Sequence, residues 1–149
     1  MENMGLCLDD RPDEGVFRVH RRVYTDPEIF ELEQKLIFER TWIFLTIDSQ
    51  IAKPGDFITT WIGKTPILVT RDAKGQVRAF SNVCRHRAAR LADGVGSCGK
   101  VLRCPYHGWT YRLDGTLAAM PEGRGFGEDF DRDAVRLPSF QVVEFGGLV

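Results

Sequence analysis

Two short segments of this 149-residue chain each carry one cysteine and one histidine in close succession. The first reads Cys84-Arg85-His86-Arg87, and the second reads Cys104-Pro105-Tyr106-His107-Gly108-Trp109. The spacing is C-x-H, then seventeen residues, then C-x-x-H. Thiolates and imidazoles are donors that bind transition metals. Because both segments offer the same pair of donors, we interpret them as the two arms of one metal site.

Two kinds of metal centre use two cysteines and two histidines. A structural zinc ion accepts this set, but its arms are usually homogeneous, with C-x-x-C followed by H-x3–5-H. A Rieske [2Fe–2S] centre has two Cys on one iron and two His on the other. Each arm of this chain is mixed, so each would supply one ligand to each iron. The pattern therefore favours the two-iron centre, with Cys84, His86, Cys104 and His107 as metal and cofactor ligands.

At these residues the sequence resembles the paired cluster-binding loops of Rieske proteins. It is most similar to the N-terminal domain of the α (large) subunit of aromatic ring-hydroxylating oxygenases, from about Val23 to the C-terminus. Respiratory-type Rieske proteins have two further cysteines that brace the loops with a disulfide. The equivalent residues here are Ala89 and Tyr106, which favours the oxygenase type. The resemblance implies a mainly β fold, a Rieske-type antiparallel β-sandwich with a cluster-binding subdomain at about residues 82–120, plus an N-terminal helix.

The residues before the arms also predict a helix. Asp26 is a good N-cap, and Pro27 suits the first helical position. Ile29, Leu32 and Leu36 recur at helical spacing. We expect this apolar stripe to pack in the core.

Short β-rich segments separated by turns follow the helix and predict an antiparallel sheet or sandwich. The expected strands lie at 42–47, 57–62, 66–70, 77–80, 101–102, 109–113, 116–118 and 137–149. Residues 121–133 are rich in Gly and acidic residues and predict a surface loop. We expect residues 1–22 to be a polar tail and residues 23–149 to be one Rieske domain. Because the chain stops inside a strand-like segment, we also expect it to be truncated.

Composition limits the class of protein. The chain is 43% hydrophobic with a net charge of −1, so it can bury a core and has no global field that would attract nucleic acid. No segment approaches the roughly 18 apolar residues that a membrane span needs. No signal peptide is visible. Cys7 and Cys98 are expected to be free thiols in a reducing compartment, so we predict a cytoplasmic protein with no membrane or nucleic-acid partner.

The resemblance also implies a function. Cys84 and Cys104 would bind the inner iron, and His86 and His107 would bind the outer iron of a one-electron relay. The donor would be a ferredoxin or a flavin reductase. The acceptor would be a mononuclear Fe(II) in a catalytic domain of the same or a neighbouring subunit. Beyond the arms the chain has only His20, too few histidines for a site of two His and one carboxylate. We therefore assign no catalytic residue to this chain.

In the family that the sequence resembles, the whole enzyme is a dioxygenase of aromatic hydrocarbon catabolism, which is an oxidoreductase. It commonly assembles as a trimer-based homo-oligomer. The catalytic domain normally follows the Rieske domain, and we expect it to lie outside this sequence. By position, His107 would contact a carboxylate of the neighbouring subunit. Two alternatives stay open: a freestanding Rieske-type ferredoxin, which the N-terminal helix argues against, and a structural zinc module.

The charges around the arms are mostly positive. Asp93 is the only acidic residue between residues 85 and 112, against the cations Arg85, Arg87, Arg90, Lys100, Arg103 and Arg112. This cationic collar would dock an acidic electron donor or form a solvated surface, and the sequence does not choose between them. Tyr106 and Trp109 would hydrogen-bond near the cluster or cap a loop, with plain packing the simpler role for Trp109.

Overall fold

The first part of the chain combines a β-hairpin with two helices. The structure, a computed structural model, describes residues 7–121, 123–127 and 129–149. The described residues up to Trp42 form one compact unit, and Ile43–Val149 form a second. The elements of the first unit are β1 (Leu8–Arg11), β2 (Val16–Val19), α1 (Arg22–Thr25) and α2 (Pro27–Glu33), and α2 continues as a π-helical turn (Gln34–Phe38). The hairpin lies in the segment for which the sequence predicted only a tail.

The predicted N-terminal helix is present as α2. The Asp26 carboxylate accepts a hydrogen bond from the amide of Glu28 at 2.9 Å, as an N-cap does. The expectation that its apolar stripe packs in the core is wrong for this chain, since Leu32 and Leu36 are 44% and 54% exposed. Helical periodicity shows that a face is apolar but not what covers it. No helix in the described residues has the length and hydropathy to cross a membrane.

The second unit contains a five-stranded and a three-stranded sheet. Their strand orders are β10-β5-β4-β3-β6 and β7-β8-β9, and all neighbouring strands are antiparallel. The strands are β3 (Asp56–Ile62), β4 (Thr65–Arg71), β5 (Val77–Ser81), β6 (Val95–Ser97), β7 (Val101–Arg103), β8 (Thr110–Arg112), β9 (Leu117–Ala119) and β10 (Ser139–Phe140). This confirms the predicted fold class, mainly β and antiparallel with an N-terminal helix.

Strand β4 is buried on both faces and separates two apolar clusters. Because side chains alternate along a strand, Ile67 and Val69 enter one cluster and Leu68 enters the other. Leu68 and Phe80 of the larger sheet pack in the same cluster as Tyr111 of the smaller sheet. The smaller sheet, which carries the second arm, therefore shares a core with the larger sheet. The predicted domain boundary after residue 22 and the subdomain limits of 82–120 stay predictions.

Two segments predicted as strands have a different structure. Residues 42–47 form no strand, although the amide of Val149 donates to the carbonyl of Thr46 at 2.9 Å. In the predicted C-terminal strand, only Ser139–Phe140 belongs to a sheet. Gly147 near the end has a φ of 82°, which a regular strand does not allow. β-forming composition identifies extended segments, but it does not show whether a neighbouring strand pairs with them.

Candidate metal centre

The two arms are loops of the same backbone conformation. In the first arm, the amide of Ala88 donates to the carbonyl of Cys84 at 3.0 Å, and the amide of Cys84 donates to the carbonyl of Ala89 at 2.8 Å. At Cys104 the same two bonds recur with the residues four and five positions later, at 3.0 and 2.8 Å. Each cysteine therefore opens a tight loop that returns to it within five residues.

The fourth residue after each cysteine has a left-handed backbone. Gly108 has a φ of 70°, and Ala88 has a φ of 54°, the only positive φ of a non-glycine residue in the described chain. A Cβ at Gly108 would lie 3.2 Å from the side chain of Pro121 and 3.4 Å from that of Arg103. Glycine is therefore favoured there by conformation and by space, whereas Ala88 accepts a strained φ.

The two loops bring like donors together. Cys84 and Cys104 are 2% and 3% exposed and form no disulfide. Burial raises the pKa of the Cys84 thiol, and the neighbouring Cys104 acts in the same direction. The imidazole rings of His86 and His107 have centroids 4.6 Å apart. The site thus contains a pair of buried thiols and a pair of adjacent imidazoles.

Both imidazoles carry a buried nitrogen that lacks a partner. Nδ1 of His86 and Nδ1 of His107 make no hydrogen bond to any described residue. Buried polar atoms are almost always satisfied, so two such orphans side by side need a cause. A bound metal explains both atoms, because it takes the lone pair of a neutral imidazole.

The donors are arranged as pairs. In the part of the chain that the structure describes, no three His, Cys, Asp or Glu side chains gather around one position for a single metal ion. The thiol pair and the imidazole pair are the donor set of a two-iron centre, with one pair for each iron. The residues present therefore fit a [2Fe–2S] cluster.

Aromatic rings hold both imidazoles. His86 stacks on Trp109, with centroids 4.9 Å apart and planes 5° apart, and Trp109 packs in turn against Phe126. The exposed ring of Tyr106 lies 3.7 Å from that of His107, between centroids. Burial lowers the pKa of His86, and the neighbouring His107 ring acts in the same direction. Trp109 packs as expected, and it also supports the His86 ring.

Tyr111 is a site residue that the sequence reasoning missed. It lies in β8 and is fully buried. Its hydroxyl oxygen accepts a hydrogen bond from the amide of Arg85 at 3.1 Å and lies 3.4 Å from Sγ of Cys84. Burial raises the pKa of Tyr111, so the hydroxyl stays protonated. When Cys84 is a thiolate, its sulfur has no proton, and the Tyr111 O–H must be the donor.

Asn82 is a second residue that was missed. Its buried side chain donates to the carbonyl of Ala92 at 2.9 Å and accepts from the amides of Leu91 and Ala92 at 3.1 and 3.2 Å. Its own amide donates to the carbonyl of Pro66 at 2.8 Å. The Asn82 side chain therefore ties the two ends of the first arm together, and its backbone amide anchors them to β4.

The cationic collar is partly neutralised. Arg90 forms an ion pair with Asp93 at 3.3 Å and lies 5.7 Å above the ring of Trp61. Among the described residues, no carboxylate lies within 4.0 Å of the remaining arginines close to the arms, Arg85, Arg87 and Arg103. Whether these cations bind a partner or only water stays a prediction.

The other residues considered from the sequence lie outside the four-residue site. His20 is exposed in the first unit, where its Nδ1 accepts from the amide of Arg22 at 3.1 Å. Cys98 is half-buried, forms no disulfide, and donates its S–H to the carbonyl of Gly55 at 3.3 Å. Neither residue adds a ligand to the paired donors.

Comparison with known proteins places both arms within a known family domain. The family described as "Rieske [2Fe-2S] domain" matches residues 41–141. The large subunit of anthranilate 1,2-dioxygenase from Acinetobacter baylyi is 40% identical over 143 residues, which cover 96% of this chain and 30% of that protein. The oxygenase subunit of glycine betaine monooxygenase from Chromohalobacter salexigens is 40% identical over 139 residues, which cover 93% and 31%.

Solved structures agree with these relatives. Naphthalene 1,2-dioxygenase from Rhodococcus sp., bound to indole, matches with a TM-score of 0.80 at 32% identity, over 87% of this chain and 30% of that one. A quaternary ammonium Rieske monooxygenase matches with a TM-score of 0.79 at 36% identity, over 86% and 35%. The chain therefore spans about a third of the length of the proteins it matches.

The left-handed residues of the two loops allow a paired stability test. Gly108→Ala should lower the free energy of unfolding by about 1–2 kcal/mol or more, because it adds a strained φ and a steric contact. Ala88→Gly should leave it unchanged or raise it by up to ~1 kcal/mol, because relief of strain exceeds the added chain entropy. Urea unfolding of the purified protein would measure both.

Gly75→Ala is the matched control, because Gly75 has a φ of 80° with nothing within 4 Å of an added Cβ. We expect Gly75→Ala to lose less stability than Gly108→Ala, since it tests the backbone strain alone. Equal losses in all three variants would contradict the described loop geometry.

Proposed function

Since this chain belongs to the Rieske [2Fe-2S] domain family, we propose that it is the electron-transfer domain of a ring-hydroxylating oxygenase. The domain accepts single electrons from a ferredoxin or a flavin reductase and passes them to a mononuclear iron outside this chain. The observation that carries the proposal is the pairing of two buried thiols with two unpartnered imidazole nitrogens on matched loops.

Four residues hold the cluster in this proposal. Cys84 and Cys104 bind one iron as thiolates, and His86 and His107 bind the other through Nδ1. The [2Fe–2S] cluster supplies a one-electron carrier when bound. Binding through Nδ1 leaves the opposite ring nitrogen of each histidine free to donate a hydrogen bond toward a partner.

The surrounding residues set the potential. Two neutral imidazoles in place of two thiolates remove negative charge, and Rieske potentials of roughly −150 to +300 mV lie above the roughly −400 mV of plant-type clusters. The Tyr111 hydroxyl donates to Cys84, and the nearby Arg85 and Arg87 favour the form with the additional electron. Burial of both cysteines keeps water from the sulfurs.

The histidine edge is the exit route for electrons. His86 and His107 are only half-buried, and the Tyr106 ring beside His107 is 62% exposed. The cysteines, in contrast, are buried. We propose that His107 contacts a carboxylate of the catalytic domain in a neighbouring subunit of a trimer-based oligomer.

The relatives support an oxygenase rather than a freestanding carrier. The matched relatives, of which the chain covers about a third, are oxygenase subunits. Names such as anthranilate 1,2-dioxygenase and toluate 1,2-dioxygenase support a parent enzyme that acts on an aromatic compound. Glycine betaine monooxygenase shows that related subunits also occur with a non-aromatic substrate. We also propose a cytoplasmic location, in keeping with cysteines that form no disulfide.

His107→Cys tests the ligand assignment. A thiolate in place of a neutral imidazole adds negative charge to the cluster, so the reduction potential should fall by roughly 100 mV or more while iron is retained. A redox titration followed by visible absorption would measure the shift. His20→Ala is the control and should change neither the potential nor the iron content. An unchanged or higher potential in His107→Cys would show that His107 is not a ligand.

Tyr111→Phe tests the hydrogen bond to sulfur. Donation to a thiolate stabilises the more negative, reduced cluster, so its loss should lower the potential by tens of millivolts. A difference of about 1 kcal/mol between the two redox states corresponds to roughly 40 mV for one electron. The exposed Tyr106→Phe is the matched control, with its hydroxyl outside this contact. Equal potentials for Tyr111→Phe and the unmodified protein would rule out the hydrogen bond.

A further inference from the structure

A cleft of about 650 Å³ opens at the end of the two sheets that lies away from the arms. Its walls come from the β4–β5 turn with the start of β5, the turn before β7, and the residues that end β8. The first arm follows the far end of β5, about 10 Å along the strand from Arg78 at roughly 3.3 Å per residue. The second arm lies before Thr110, at the start of β8, whereas Arg112, which lines the cleft, lies at the other end of that strand. The cleft is therefore separate from the cluster ligands.

The charge of the cleft is positive. Its charged side chains are the cations Lys74, Arg78, Lys100 and Arg112 and the carboxylates Asp72 and Asp114. Asp72 is satisfied within the protein, because it accepts from the amides of Lys74 and Gln76 and from Arg78 Nε, at 2.8, 2.9 and 3.2 Å.

Asp114 is satisfied in the same way, since it accepts from the amide and the hydroxyl of Thr116 at 2.9 and 2.6 Å. In contrast, no carboxylate of the described residues lies within ion-pair distance of Lys74 or Lys100. The cleft therefore carries two lysines with which no described carboxylate forms an ion pair, which favours an anionic ligand.

The cleft has apolar lining residues and a firmly packed wall. Leu113, which is 5% exposed, lines it together with the exposed Pro54 and Ala73. A Cβ at Gly55 would lie 2.4 Å from the carbonyl oxygen of Gly99, so the turn that precedes Lys100 packs directly on the start of β3. Cations and apolar residues that line one cleft suit an anion with a hydrophobic body.

We propose that this cleft binds a small organic carboxylate with an apolar body, such as an aromatic acid. The ammonium groups of Lys74 and Lys100 bind the carboxylate, and the ring lies against Leu113. The volume is within the range of roughly 300–1,000 Å³ that is typical of small-molecule sites. Because both sheets contribute to the walls, the bound acid stabilises the domain without touching the cluster ligands. The proposal does not depend on the electron-transfer function.

Benzoate is the probe, added to the iron-loaded protein at low ionic strength. We expect saturable binding by isothermal titration calorimetry and a thermal unfolding temperature that rises with benzoate concentration, while the visible spectrum of the cluster is unchanged. Benzyl alcohol lacks the charge and inorganic phosphate lacks the apolar body, so each should bind at least ~10-fold more weakly. The proposal would be overturned if benzoate did not bind at concentrations up to about 10 mM. It would also be overturned if benzyl alcohol or phosphate bound as tightly as benzoate.

The double variant Lys74→Ala/Lys100→Ala locates the site. Loss of two exposed charge contacts should weaken benzoate binding by roughly 10-fold. Lys35→Ala, an exposed lysine on the helical segment of the first unit, is the control and should leave the affinity unchanged. All three substituted lysines are exposed, so the variants are expected to fold. Unchanged affinity in the double variant would show that benzoate binds elsewhere. An equal loss of affinity in Lys35→Ala would show that only the net charge of the protein matters, and either result would overturn the proposal.

Discussion

The site depends on the cost of leaving polar donors buried without a partner. Cys84 and Cys104 are almost inaccessible to solvent, and the buried Nδ1 atoms of His86 and His107 have no hydrogen-bond partner among the described residues. A polar group in this condition costs free energy unless a bond compensates. In the proposed centre two irons would satisfy all four donors at once, and the fold holds the two loops close enough for that.

Two levels of structure provide this positioning. Within each loop, a pair of backbone hydrogen bonds closes on the cysteine, and a left-handed residue at Ala88 or Gly108 turns the chain back. Between the loops, the three-stranded sheet carries the second arm and shares an apolar cluster with the five-stranded sheet that carries the first. Asn82 then joins the two ends of the first arm through three side-chain hydrogen bonds, and its backbone amide joins them to β4 through a fourth. The precision of the site thus comes from sheet packing and from closure of short loops.

Local patterns predicted the local features well and the long-range ones poorly. The mixed arms, the Asp26 cap and the central strands follow from spacing, capping chemistry and alternation, all of which act over a few residues. Tyr111 reaches Sγ of Cys84 across 27 positions, and such a contact has no local signature. The positive φ of Ala88 was equally unpredictable, because an alanine in the sequence does not indicate a left-handed backbone. The exposure of Leu36 could not be read either, since periodicity does not identify the surface that covers a helix face.

The most direct test of the account is an iron and acid-labile sulfide count on the purified protein, combined with an EPR spectrum after reduction by dithionite. The account predicts about two iron and two sulfide per chain, and a rhombic signal with a lower average g than an all-cysteine cluster gives. Zinc in place of iron in a colourless protein, or no metal after anaerobic preparation, would contradict electron transfer and leave a structural module.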